Sequence, residues 1–125
     1  MSLILYVDDE ETIARVVERY FARRGDEVLL AHTLTDARAI LRSHSPDAIF
    51  LDLAIGNESG FELMAWIHEE QPAIADRVSF VTGDVTNTSD HRHLWEMLGH
   101  RFIRKPFQLS ALAAITDGAR SRATA

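Results

Sequence analysis

The residues best suited to do chemistry in this chain are carboxylates, one hydroxyl and one ammonium, and each lies just past a short apolar run. Asp8, Asp9 and Glu10 follow Leu3–Val7, and Asp52 follows Ala48–Leu51. Thr82, Gly83 and Asp84 follow Val78–Val81, and Lys105-Pro106 comes soon after Phe102–Ile103. Singly, each has an ordinary explanation. An Asp after a strand commonly caps a helix or forms a turn, Thr-Gly-Asp reads as a turn, and most lysines are solvated. Brought together they describe a site. Crowded carboxylates repel one another and lose hydration, and a hard divalent cation offsets both costs. Mg²⁺ takes oxygen ligands in octahedral geometry and keeps some waters, so two carboxylates, a backbone carbonyl and waters would satisfy it. A phosphoryl oxygen would fit a remaining position. Lys105 and Thr82 would then bind the other phosphoryl oxygens, with a carboxylate as the nucleophile.

For these residues to meet, the apolar runs must be strands of one sheet. There are five, counting Val28–Ala31, and short runs flanked by turn residues suit buried parallel strands. The stretches between them read as helices. Ile13, Val16, Val17, Tyr20 and Phe21 form an apolar stripe ahead of a stop at Gly25. Thr33 with Asp36 resembles a capping box, followed by Ala37, Ile40 and Leu41. Leu63, Met64 and Ile67 precede Pro72; Leu94, Met97 and Leu98 precede Gly99; and Leu109, Leu112, Ala113 and Thr116 mark the last helix. Strand–helix alternation predicts an α/β fold with helices on both faces of a parallel sheet, where ligands bind beyond the carboxyl ends of the strands. No repeat, linker or low-complexity tract interrupts the pattern, and only residues 121–125 read as frayed.

The totals agree with one domain over residues 1–125: 46% apolar and 26% charged residues, as in an ordinary globular protein. A net charge of −6 argues against sequence-independent nucleic-acid binding, and the Arg101, Arg104 and Lys105 group is too small for such a site. The absence of cysteine excludes disulfides, thiolate chemistry and Cys-based zinc sites. No apolar run exceeds five residues, whereas a spanning helix needs about 20, and the N-terminus lacks the pattern of a signal peptide. The expectation is a cytoplasmic chain with no membrane insertion. Of the six histidines, His91, His93 and His100 cluster loosely but complete no metal set, and all read as surface residues. Trp66 and Trp95 read as partly buried anchors.

Four segments together resemble the receiver domains of bacterial two-component response regulators, and the likeness runs through essentially the whole chain. Ile4-Leu5-Tyr6-Val7-Asp8-Asp9-Glu10 is similar to their first strand and acidic pair. Phe50-Leu51-Asp52-Leu53, with Gly60 eight residues after Asp52, is similar to the phosphoacceptor strand and loop. Val81-Thr82-Gly83-Asp84 resembles the switch-threonine segment, and Phe102-Ile103-Arg104-Lys105-Pro106-Phe107 the final strand. The resemblance implies a flavodoxin-like, doubly wound five-stranded sheet in the order 2-1-3-4-5 with five helices. It implies Asp52 as phosphoacceptor, with Mg²⁺ (Mn²⁺ as a substitute) held by the Asp9 and Asp52 carboxylates and the Ala54 carbonyl, and by Asp8 mostly through water. Thr82 and Lys105 would contact the phosphoryl group, Phe102 would be the switch aromatic, and Lys105-Pro106 would be a cis peptide. The implied partners are a histidine kinase or histidine phosphotransfer protein. An output partner, or a second copy of the chain, would bind the face made by the fourth helix, the fifth strand and the last helix. Such a chain is not an enzyme in the usual sense, catalysing only its own phosphorylation and dephosphorylation.

The chain departs from the family at Ile55-Gly56, where methionine and proline are usual, and Gly56 predicts a looser loop. Gly83 replaces the frequent alanine after the switch threonine. Residues 85–90 are polar and turn-like, so the fourth helix is expected to start late. Two other functions compete. A Mg²⁺-dependent phosphohydrolase of the haloacid-dehalogenase kind also forms an aspartyl phosphate, but carries a second acid two residues on, where this chain has Ala54. A degenerate receiver acting only as an adaptor usually lacks an acid or the lysine, and none is missing here.

Overall fold

Successive residues of a strand point to opposite faces of its sheet, and the first strand is apolar at every position. β1 (Leu3–Val7) is therefore suited to the middle of a sheet covered on both sides, and that is where it lies. The computed structural model describes residues 1–83 and 99–124. In chain order, β1 leads to α1 (Glu11–Arg23), β2 (Glu27–Ala31), α2 (Leu34–Ser43) and β3 (Ala48–Asp52). Next come the two-residue strands β4 (Ala54–Ile55) and β5 (Glu58–Ser59), α3 (Gly60–Glu70), a 3₁₀ helix over Pro72–Arg77 and β6 (Val78–Thr82). β7 (Arg101–Arg104) and a C-terminal helix (Leu109–Thr124) complete the described chain. The expected fourth helix, with Leu94, Met97 and Leu98, lies outside the described residues, as do Asp84, His91, His93 and Trp95.

The five long strands form one parallel sheet in the order β2-β1-β3-β6-β7. This is the anticipated 2-1-3-4-5 order with the small β4–β5 hairpin set aside. The faces divide by residue parity. Leu5, Val7, Ile49, Leu51 and Phe80 pack under α2 and α3, against Leu34, Leu41, Leu63 and Ile67. Ile4, Tyr6, Phe50 and Val81 pack under α1 and the C-terminal helix, against Val17, Phe21 and Leu112. β1, β3 and β6 carry the core, whereas β7 at one edge is only partly buried.

Local signals account for several boundaries. The Thr33 hydroxyl accepts from the Asp36 N–H at 3.0 Å and caps α2. Gly25 has φ +87° just past α1, a conformation that L side chains rarely adopt. Three expectations change. Val16 is 49% exposed rather than part of the buried stripe, and Ala14 takes its place beside Val17 and Phe21. Val16 lines a groove between α1 and the segment after β7. His100 is buried rather than on the surface: its Nδ1–H donates to the Val78 carbonyl at 3.1 Å and its ring lies edge-on to Phe80. The last helix continues to Thr124 instead of fraying from residue 121.

Candidate functional site

β1, β3, β6 and β7 are consecutive neighbours in the sheet. The register pairs Val7 with Leu51, Asp52 with Val81 and Thr82 with Arg104. All four strands therefore end at one edge, which places Asp8, Asp52, Thr82 and Lys105 there together.

Asp8 is fully buried and firmly held. Its N–H donates to the Ala31 carbonyl at 3.0 Å, and its own carbonyl accepts from His32 Nδ1–H at 3.0 Å. Its Oδ1 accepts from the Glu10 N–H at 2.9 Å, and its Oδ2 from the Tyr6 hydroxyl at 2.9 Å. Asp52 is 5% exposed, and its Oδ1 accepts from the Ala54 N–H at 3.0 Å. Lys105 reaches into the centre. Its ammonium lies 2.7 Å from Asp52 Oδ2, 3.1 Å from Asp8 Oδ2 and 3.3 Å from Glu10 Oε1. Thr82 is buried at the end of β6, and its carbonyl accepts the Lys105 N–H at 2.8 Å. The Lys105-Pro106 peptide is cis. Phe102 is half-buried and stacks on Phe80, ring centroids 5.0 Å apart.

Asp9 lies elsewhere. It is exposed, and its Oδ2 accepts from the Gly56 N–H at 2.8 Å. The loop after Asp52 thus has backbone pairing and a side-chain contact of its own. β4 and β5 pair as a hairpin around Gly56 and Asn57, Gly56 has φ +58° and Asn57 a negative φ, the sign pattern of a type II′ turn. Gly60 packs so closely beneath β3 that a Cβ there would collide with the Asp52 carbonyl oxygen.

Reading strand ends gave Glu10 no role and overlooked Tyr6. Glu10 belongs to the acidic group: one carboxylate oxygen each from Asp8, Glu10 and Asp52 lie within 4.8 Å of one another. Its signal was its place directly after the two aspartates. Tyr6 was legible only through strand periodicity, since residues two apart share a face.

Among the described residues, the electrostatics of the site are those of a negative excess. Three carboxylates there share the Lys105 ammonium. Burial raises the Asp52 pKa above the ordinary carboxylate value, although hydrogen bonds from Lys105 and Ala54 pull it down. Burial works to lower the Lys105 pKa, but hydrogen bonds and charge from Asp52 and Asp8 outweigh it and hold the ammonium firmly protonated. Hard oxygen donors in negative excess fit a divalent cation of the Mg²⁺ type, and Lys105 stands where a second anion bound at Asp52 would find a donor. Beside the site, between α1 and the segment after β7, an apolar groove of about 580 Å³ is lined by Ile13, Val16, Pro106, Phe107 and Leu109.

Comparison with known proteins gives a consistent result. The family model for the response regulator receiver domain matches residues 4–117. The transcriptional regulatory protein KdpE of Mycobacterium tuberculosis is 27% identical across 100% of this chain and 54% of its own length. YvrH of Bacillus subtilis is 30% identical across 89% of this chain and 46% of its own length. The chain thus spans about half the length of these curated relatives. Among solved structures, a response regulator receiver domain protein from Clostridium thermocellum superposes with a TM-score of 0.82 at 26% identity, covering 99% of this chain and 98% of that one.

Proposed function

This chain belongs to the response regulator receiver domain family, and from that premise we propose that it accepts a phosphoryl group on Asp52. The observation that carries the proposal is the contact of Asp52 Oδ2 with Lys105 Nζ at 2.7 Å inside a group of three carboxylates. Of the three carboxylates that share this ammonium, Asp52 makes the shortest contact with it. Asp52 Oδ attacks phosphorus, the donor's imidazole or acyl oxygen leaves, and the product is an acyl phosphate on Asp52. Lys105 turns its donors to the phosphoryl oxygens, and Thr82 at the neighbouring strand end supplies a hydroxyl. Both act where charge develops.

The acidic group fits Mg²⁺, or Mn²⁺ in its place. Asp52, Asp8 or Glu10, the Ala54 carbonyl and a reoriented Asp9 are the oxygen donors available to it. Bound there, it supplies positive charge against the acids and the incoming phosphoryl group. The phosphodonor is a histidine kinase or histidine phosphotransfer protein, and the groove along Ile13 and Val16 offers an apolar seat for its helices beside the acceptor. The chain turns over no external substrate beyond its phosphodonor, and it works as a cytoplasmic signalling unit spanning residues 1–125. The output face includes β7 and the C-terminal helix, with Thr82 and Phe102 transmitting the change to an effector or a second copy of the chain. The haloacid-dehalogenase-like alternative gains no support, because Ala54 stands where its second acid belongs.

The test is incubation with Mg²⁺ and acetyl phosphate. One base-labile phosphoryl group should appear, and Asp52→Asn should abolish it. Equal modification of the variant at another residue would overturn the assignment.

A further inference from the structure

The Tyr6 side chain does two separable things. Its ring is core, 1% exposed on the face shared with Val17, Phe50 and Leu112, a task phenylalanine would perform equally well. Its hydroxyl does something phenylalanine could not. A buried hydroxyl is costly to desolvate unless it is hydrogen-bonded, and this one donates to Asp8 Oδ2 at 2.9 Å. Burial first, then the nearby acids, push the phenol pKa well up, so the group remains a protonated donor.

The other donors to Asp8 differ in kind. The Glu10 N–H fixes Oδ1 from the backbone. Lys105 is shared, lying nearer to Asp52 (2.7 Å) than to Asp8 (3.1 Å), and the phosphoryl group would draw it away. Tyr6 is the side-chain donor that stays when Lys105 moves, because strand geometry fixes it directly beneath Asp8. We propose that Tyr6 is a positioning residue whose hydroxyl holds the Asp8 carboxylate in the orientation that serves a divalent cation. The inference rests on the reading of the acidic group as a Mg²⁺ site. A hydrogen-bond partner behind a metal-binding carboxylate typically contributes about 10–100-fold in affinity.

The experiment measures Mg²⁺ dissociation constants by calorimetry for the wild type, Tyr6→Phe, Asp8→Asn and the double variant, with amide NMR spectra to verify the fold. Tyr6→Phe should weaken Mg²⁺ binding about tenfold or more. In the Asp8→Asn background the same change should have less than about a twofold effect, since Tyr6 acts through Asp8. A Tyr6→Phe affinity within about twofold of wild type overturns the proposal, even if the variant melts earlier. If Tyr6→Phe does not fold, wild-type protein carrying ¹³C-labelled tyrosine decides. The Tyr6 ring-carbon resonance next to oxygen should move along a Mg²⁺ titration while that of Tyr20 on α1 stays still, and an unmoved Tyr6 signal overturns the proposal. Absence of any Mg²⁺ binding by the wild type would instead overturn the metal reading on which it stands.

Discussion

Asp52 carries a charge that its surroundings accommodate only in part. Because burial raises its pKa in the fold, the ionised carboxylate destabilises the protein at neutral pH. That cost is lost as pH falls through the raised value toward the ordinary carboxylate value of 3.8. Asp52→Asn should therefore melt higher than wild type at pH 7 without metal. Calorimetry should show the advantage shrinking on acidification; an Asn variant that melts lower at pH 7 would mean the Lys105 pair outweighs burial. His100 has the opposite sign. Burial lowers its pKa below the ordinary 6.5, so its contribution is complete above that value and is lost as pH falls below it. His100→Asn should flatten the fall in melting temperature between about pH 7 and pH 5. At Gly60 the constraint is steric. A methyl group directed at the Asp52 carbonyl must displace β3 or the start of α3, so Gly60→Ala should cost about 1–3 kcal/mol in denaturant unfolding and slow phosphorylation as the acceptor shifts.

Among the elements, α1 and the β4–β5 hairpin do more than a sequence pattern discloses. α1 buries Ala14, Val17 and Phe21 but leaves Val16 in the groove beside Lys105, Pro106 and Phe107. A charge there leaves the core intact. Val16→Asp should reduce phosphoryl transfer from a cognate kinase about tenfold or more, the loss expected from a central interface position, while transfer from acetyl phosphate stays near wild type. Equal loss with both donors would place Val16 in the chemistry and not in docking. The hairpin gives a loop with glycine in place of proline its own pairing: the turn at Gly56 suits glycine, and Asp9 accepts its N–H. Asp9→Ala should accordingly speed amide exchange at Gly56 in the metal-free protein.

At the scale of the whole molecule, the proposed phosphoacceptor role of Asp52 predicts that the sheet couples the site to a distant surface. Phosphorylation adds about −1.5 to −2 charge at Asp52, and Thr82 closes the adjacent strand. Movement of Thr82 toward that charge would alter the packing around Phe80 and Phe102, which stack at 5.0 Å on β6 and β7. NMR of the free and beryllofluoride-bound forms should show large shifts at Thr82 and Phe102, exceeding those on the outer face of α1. Perturbation confined to ligand-touching residues would refute transmission through β7.

Much was determined by sequence alone, because the governing interactions are local or periodic. Five apolar runs with intervening amphipathic stretches specify strands and helices, Thr33 and Gly25 mark helix boundaries through their own backbone preferences, and acidic residues at strand ends mark the site edge. Tertiary structure decided what depends on neighbours distant along the chain. Val16 is apolar and in phase with α1, yet it lies exposed in the groove beside Pro106 and Phe107. His100 is polar in type, yet Phe80 and the Val78 carbonyl give it a buried partner. Asp8 and Asp9 are indistinguishable as letters. The turn out of β1 directs Asp8 inward to Tyr6 and Lys105 and Asp9 outward to Gly56, and only the folded chain places Glu10 with the former.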